Sequence, residues 1–146
     1  MHVFLSNLRP RSVRAKMPEY YKEGIRGAFR TYCPGAVVSP ESFFYAVVYY
    51  FHRVPSQQDA DNISKPVLDA LVGLAYVDDR LVKFRQAAMF DLRSDPLGEL
   101  EMSNMPGDVF SKFLEMLDNE EHILYVELGR LSFKQIRFGY EMSSEV

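Results

Sequence analysis

Between Phe43 and Phe51 the chain reads Phe-Phe-Tyr-Ala-Val-Val-Tyr-Tyr-Phe, nine residues with no charged position. Aromatic and β-branched side chains without a polar face predict a central strand covered on both sides. Ahead of it, Tyr21, Ile25, Ala28, Phe29 and Tyr32 recur at helical spacing between Pro18 and Cys33-Pro34-Gly35, which predicts a helix over about 18–32. Behind it, Ile63, Val67, Leu68, Leu71, Val72, Leu74 and Ala75 mark a second helix, with Asp61 or Asn62 capping its first turn. Pro66 is tolerable there because first-turn amides have no intrahelical partner. The register breaks near Tyr76, Val77-Asp78-Asp79-Arg80 reads as a turn, and a strand from about Leu81 to Phe90 follows. Gly107 or Asp108 then caps a helix that buries Phe110, Phe113, Leu114 and Leu117. Strands are expected at His2–Leu5, His122–Leu128 and Leu131–Tyr140. No internal repeat or linker divides the chain. The expectation is a single α/β (α+β) domain over 1–146, a mixed sheet flanked by helices, with an acidic elaboration around 92–121.

A 47% hydrophobic and 25% charged composition over 146 residues is enough for one core without disulfides or a structural metal. Cys33 is the only cysteine, and no His or Cys cluster around it has zinc spacing, so a reducing, cytoplasmic setting is expected. No apolar run is long enough to span a membrane, and Met1–Leu5 is too short for a signal core, so no membrane partner is expected. The net charge of −3 hides an asymmetry. Residues 1–53 carry eight basic and three acidic side chains, a local +5, whereas residues 92–146 carry five and eleven, a local −6. A basic front on an acidic body suits a surface that faces phosphates. Arg9, Arg11, Arg14 and Lys16 are its candidate DNA contacts.

The chemistry concentrates in Asp59-Ala60-Asp61-Asn62-Ile63-Ser64-Lys65, then Asp69, then Asp78-Asp79. In extended backbone, residues i and i+2 project to one side, so Asp59 and Asp61 aim their carboxylates together. A hard divalent cation relieves their repulsion, and magnesium accepts one or two carboxylates plus water and phosphate oxygens. Asp79 returns as a third carboxylate. Lys65, four residues after Asp61, faces the same way along the helix and reaches a bound phosphate. Metal and ammonium together meet the needs of phosphodiester hydrolysis.

Asp59-x-Asp61-Asn62-x-x-Lys65-x-x-x-Asp69-Ala70-Leu71, followed by Tyr76-x-Asp78-Asp79, resembles the central motif of RusA-type Holliday-junction resolvases over roughly residues 43–90. The resemblance implies an intertwined homodimer that binds branched DNA, depends on magnesium or manganese, and serves recombination and repair by paired nicks. It assigns metal ligation to Asp59, Asp61 and Asp79, a catalytic or phosphate-neutralising role to Lys65, and supporting roles to Asn62, Asp69 and Asp78. In one departure, Pro55-Ser56-Gln57-Gln58 is uncharged where better-known members are strongly basic.

Each part also has a plainer meaning. Asp-x-Asp-Asn before a helix is a cap worth about 0.5–2 kcal/mol. Lys65 with Asp61 and Asp69 is a surface ion-pair ladder worth roughly 0.2–0.5 kcal/mol per pair, and Asp78-Asp79 is a turn. Their joint order and spacing favour the site, because neither caps nor ladders require all of it. A calcium-binding EF-hand fails for want of its glycine and terminal glutamate, and a sugar-nucleotide transferase needs a larger nucleotide-binding domain. The rival from another class is a non-catalytic nucleic-acid or protein-binding module on the same fold. His52, at the end of the aromatic strand, reads as structural rather than as a general base. Tyr45, Tyr49, Tyr50 and Phe51 read as core or dimer contacts before base-stacking platforms.

Overall fold

The aromatic run forms strand β2, Phe44–His52, and it is an interior strand of a four-stranded sheet. In the computed structural model, which describes residues 1–11, 16–38, 40 and 42–140, the order is β1 (His2–Ser6), β4 (His122–Arg130), β2 and β3 (Val82–Asp91). β2 and β3 are parallel and the other neighbours antiparallel. Helices α1 (Glu19–Tyr32), α2 (Ala60–Ala70) and α3 (Gly107–Asn119) complete a single-domain α+β fold with a mixed sheet.

Strand alternation divides the core in two. Ala46, Val48 and Tyr50 meet α1 and α2 through Tyr21, Ile25, Phe29, Ile63, Val67 and Leu68. Phe51, on the opposite face, meets Val109, Phe113 and Met116 of α3. The face of Ala46, Val48 and Tyr50 is therefore covered along its length and the opposite face chiefly at Phe51, while the tyrosines pack in the sheet: Tyr49 stacks on Tyr125 and Tyr50 on His122. The acidic elaboration is thus also what supplies α3. Cys33 sits at the end of α1, where its backbone amide bonds Phe29 O and its thiol donates to Val3 O at 3.7 Å.

Four expectations need correction. Helix α2 starts at Ala60, so Asp59 is its N-cap residue, not Asp61 or Asn62, and Pro66 lies in the helix interior, where the Asn62 carbonyl forgoes its usual amide. The helix also ends at Ala70, five residues early. Gly73 takes a positive φ of 81° and its amide bonds the Tyr76 carbonyl at 2.7 Å, so Leu71 and Tyr76 are buried by a turn rather than by helical periodicity. In α3, Val109, Phe113 and Met116 set the buried face and Leu114 is 46% exposed, since it lies about 100° around the helix from Phe113. Finally, Leu131–Tyr140 is not a strand. Ser132 and Gln135 close a capping box around a short 3-10 helix, Phe133–Gln135, which takes the place of strand pairing.

Candidate active site

Loop 53–58 carries the chain from β2 to α2, and its ends are held by local bonds. His52 Nδ1 lies 2.7 Å from Val54 O, on a residue only 8% exposed, so its ring serves the loop. Arg53 donates through its guanidinium to the carbonyls of Leu117 and Glu120, closing the C-terminal end of α3. This removes Arg53 from the cations on offer to a phosphate backbone. The Gln58 amide nitrogen reaches Pro10 O at 3.5 Å and so ties the loop to the N-terminal basic segment.

Asp59 occupies the N-cap position in extended backbone, with φ −101° and ψ 158°, yet its side chain accepts no bond from a first-turn amide. Among the described residues its side-chain partner is Asn62 Nδ2 at 3.5 Å. Because Ala60 and Asp61 are already helical, Asp59 and Asp61 do not share the extended register that would aim both carboxylates one way. The face that does form is Asp61, Lys65 and Asp69, spaced four apart along α2.

Lys65 is the hub of that face. Its Nζ stands 2.9 and 3.2 Å from the two Asp69 oxygens and 3.3 Å from Asp79 Oδ2, 14 residues away. The side chains of Lys65, Asp69 and Asp79 are 52%, 36% and 29% exposed, so the group is open to a ligand. The bond to Asp69, more than that to Asp79, holds the ammonium above the ordinary lysine range. Asp79 opens the 3-10 helix Asp79–Leu81, while Asp78 caps it by accepting from the Arg80 amide at 3.0 Å. Asp78 thereby performs the turn duty that its sequence also suggested.

Of the basic candidates, Arg9 and Lys16 are exposed, Arg11 is half-buried with its Nε unpartnered, and Arg14 lies outside the described residues. The Arg9 charge is near enough to hold down the pKa of His122, although burial contributes more. His122 carried no signal in the sequence. It faces His52 across β2 and β4 and pairs through Nδ1 with the Tyr50 hydroxyl at 2.8 Å.

Among the described residues, no three His, Cys, Asp or Glu side chains converge on one point as a metal cage. The donors are nonetheless all carboxylates, the hard oxygen ligands magnesium selects, and magnesium keeps most of its waters and needs only one or two of them. Asp59, Asp61 and Asp79 have the donor chemistry for such an ion but do not form a three-carboxylate site as they stand, since Asp59 and Asp61 are out of register and Asp79 faces Lys65. The chain matches no protein-family model and no curated protein.

Proposed function

We propose that this chain is a magnesium- or manganese-dependent endodeoxyribonuclease of the RusA type, acting as a homodimer on Holliday junctions or related branched DNA in the cytoplasm. The observation that supports it best is the meeting of Lys65 with Asp79, from separate elements and open to solvent, on the helix whose N-cap residue, Asp59, has a carboxylate that caps nothing. In this reading Asp59, Asp61 and Asp79 would hold the divalent ion once Asp79 turns from Lys65, and the ion would supply an acidified water and neutralise phosphoryl charge. Lys65 balances charge on the scissile phosphate. Water adds in line to phosphorus as the bond to the 3′ oxygen breaks, and that oxygen takes up a proton, leaving a 5′-phosphate and a 3′-hydroxyl. Asn62 steadies Asp59, Asp69 steadies Lys65, and Arg9, Arg11, Arg14 and Lys16 supply phosphate contacts along the neighbouring segment.

The second reading, a non-catalytic nucleic-acid or protein-binding module, draws on the same ammonium, whose two carboxylate partners already satisfy it as a surface ladder. Incubation of a labelled four-way junction, a replication fork and a linear duplex with magnesium or manganese separates the two. Cleavage of the branched substrates, lost in Asp61→Asn while junction binding persists, is the expected result. Binding without any cut in the wild-type protein selects the module.

A further inference from the structure

On the sheet face that α3 covers only in part, an open groove of about 650 Å³ remains. Val47, Tyr49, Phe90 and Tyr125 line it, and Leu100 and Met105 form part of its rim. At its floor, the Glu127 carboxylate accepts hydrogen bonds from the Tyr45 hydroxyl at 2.8 Å and the Tyr125 hydroxyl at 2.6 Å. Gly129 permits this arrangement, because a Cβ there would stand 2.5 Å from the Tyr45 ring. Burial, reinforced by the carboxylate itself, pushes both tyrosines up, so they remain donors. Glu127 is half-buried, and no ion pair among the described residues reaches it. A half-buried carboxylate without a counter-ion, bordered by aromatic rings, is matched by a cation carried on an apolar body.

The chain itself carries a segment of that chemistry. Past β4, Phe133 is 73% and Phe138 93% exposed, and Lys134 and Arg137 lie exposed between them. Aromatic rings this open to water mark a contact surface rather than a finished one. The segment runs beside Gln86 and Ala87 of β3, two residues that also line the groove. β3 is moreover the edge strand of the sheet, with no strand paired to its outer side among the described residues. Groove and segment therefore sit side by side, and a two-fold axis near β3 brings each to its complement on another copy.

We infer that the groove is the seat of a second copy of this chain, whose Phe133–Phe138 segment lays its aromatic rings on the groove walls and sets Lys134 or Arg137 against Glu127, reciprocally. The inference deepens the nuclease reading by locating its dimer, and it rests on that reading only for the expectation of two copies. Sedimentation velocity without DNA or metal tests it, so the result stands whether or not the protein cuts. Wild-type protein is expected to sediment as a dimer of the 16.9 kDa chain. The double substitution Phe133→Ser, Phe138→Ser, on exposed positions that leave the fold intact, weakens the dimer roughly tenfold or more. Glu127→Gln weakens it as well, and mixing the two variants restores part of the dimer, because one intact segment then meets one intact groove. A monomer at every concentration overturns the inference. So does a dimer indifferent to these substitutions, which would place the interface elsewhere, or a mixture no tighter than its components.

Discussion

Lys65→Met separates the catalytic from the structural meaning of the Lys65 cluster by magnitude. Methionine keeps the apolar stem and helix propensity and removes only the charge. The pair with Asp69 is an exposed i,i+4 contact worth about 0.3–0.5 kcal/mol, and that with Asp79 roughly 0.2–1 kcal/mol before screening. Both carboxylates stay hydrated once the ammonium is gone, so the loss of stability should be about 1 kcal/mol or less, a few degrees in Tm for a chain of this size. Phosphate charge stabilisation is a larger quantity. Removing one such preorganised group typically costs about 10²–10³ in rate, or roughly 3–4 kcal/mol of barrier. The assay is urea unfolding alongside single-turnover cleavage of a labelled four-way junction, with protein in excess and magnesium present. A rate that falls less than about tenfold would remove Lys65 from the chemistry. A stability loss of several kcal/mol would show that the cluster is a structural clamp and that exposure understates it.

Asp59→Ala should cost less than the roughly 1 kcal/mol of a working N-cap, since the carboxylate bonds no first-turn amide, while junction cleavage is lost; urea unfolding that shows 1–2 kcal/mol would restore the capping role. Tyr76→Phe deletes a buried hydroxyl that donates to the Leu68 carbonyl, but Leu68 O keeps the Leu71 amide at 3.2 Å, so the cost should stay near 0.5–1.5 kcal/mol with an unchanged urea m-value. Acidification should destabilise the fold through His122. Burial, then the Arg9 charge, holds its folded pKa below the ordinary 6.5, so the unfolded chain protonates first. That share of stability is complete above pH 6.5 and is lost as pH falls from there to the folded pKa, with His2 acting in the same direction. An NMR titration placing the His122 midpoint at or above 6.5 would reverse the sign.

The readable parts of the fold were those where one kind of pattern acts alone. The run Phe44–His52 has no polar face and became an interior strand, and Tyr21, Ile25 and Phe29 repeat at helical spacing and became the buried face of α1. The errors fall where tertiary packing borrows a pattern. Leu71, Val72, Leu74 and Ala75 extend the apolar period of α2 but lie in a turn built on Gly73, so hydrophobic spacing overran the helix end. Leu131–Tyr140 has the composition of a strand, yet Ser132 and Gln135, a capping signature present in the sequence, fold it into a 3-10 turn. Glu127 went unnoticed inside the run Ile123–Leu128 because strand composition gives no sign that two tyrosines, one of them 82 residues away, will bond it.

At the candidate site, the order of residues was legible and their pairing was not. A two-residue difference in where α2 begins, Ala60 rather than Asn62, decides whether Asp59 and Asp61 stand together or apart, and sequence patterns place helix ends only to within a few residues. What no pattern discloses is how Asp79 comes to face Lys65. Arg26, on α1, donates to the carbonyls of Ala70 and Val72 at 3.0 Å each, and Tyr76 donates to Leu68 O from a fully buried position. These bonds close the C-terminal end of α2 and fix the return turn that delivers Asp79. An ion pair worth a fraction of a kcal/mol gives no physical reason for a fully buried tyrosine and an arginine from another helix to hold that turn. Placing a carboxylate and an ammonium on a ligand does require such support, because reacting groups displaced by about 1 Å lose most of their advantage.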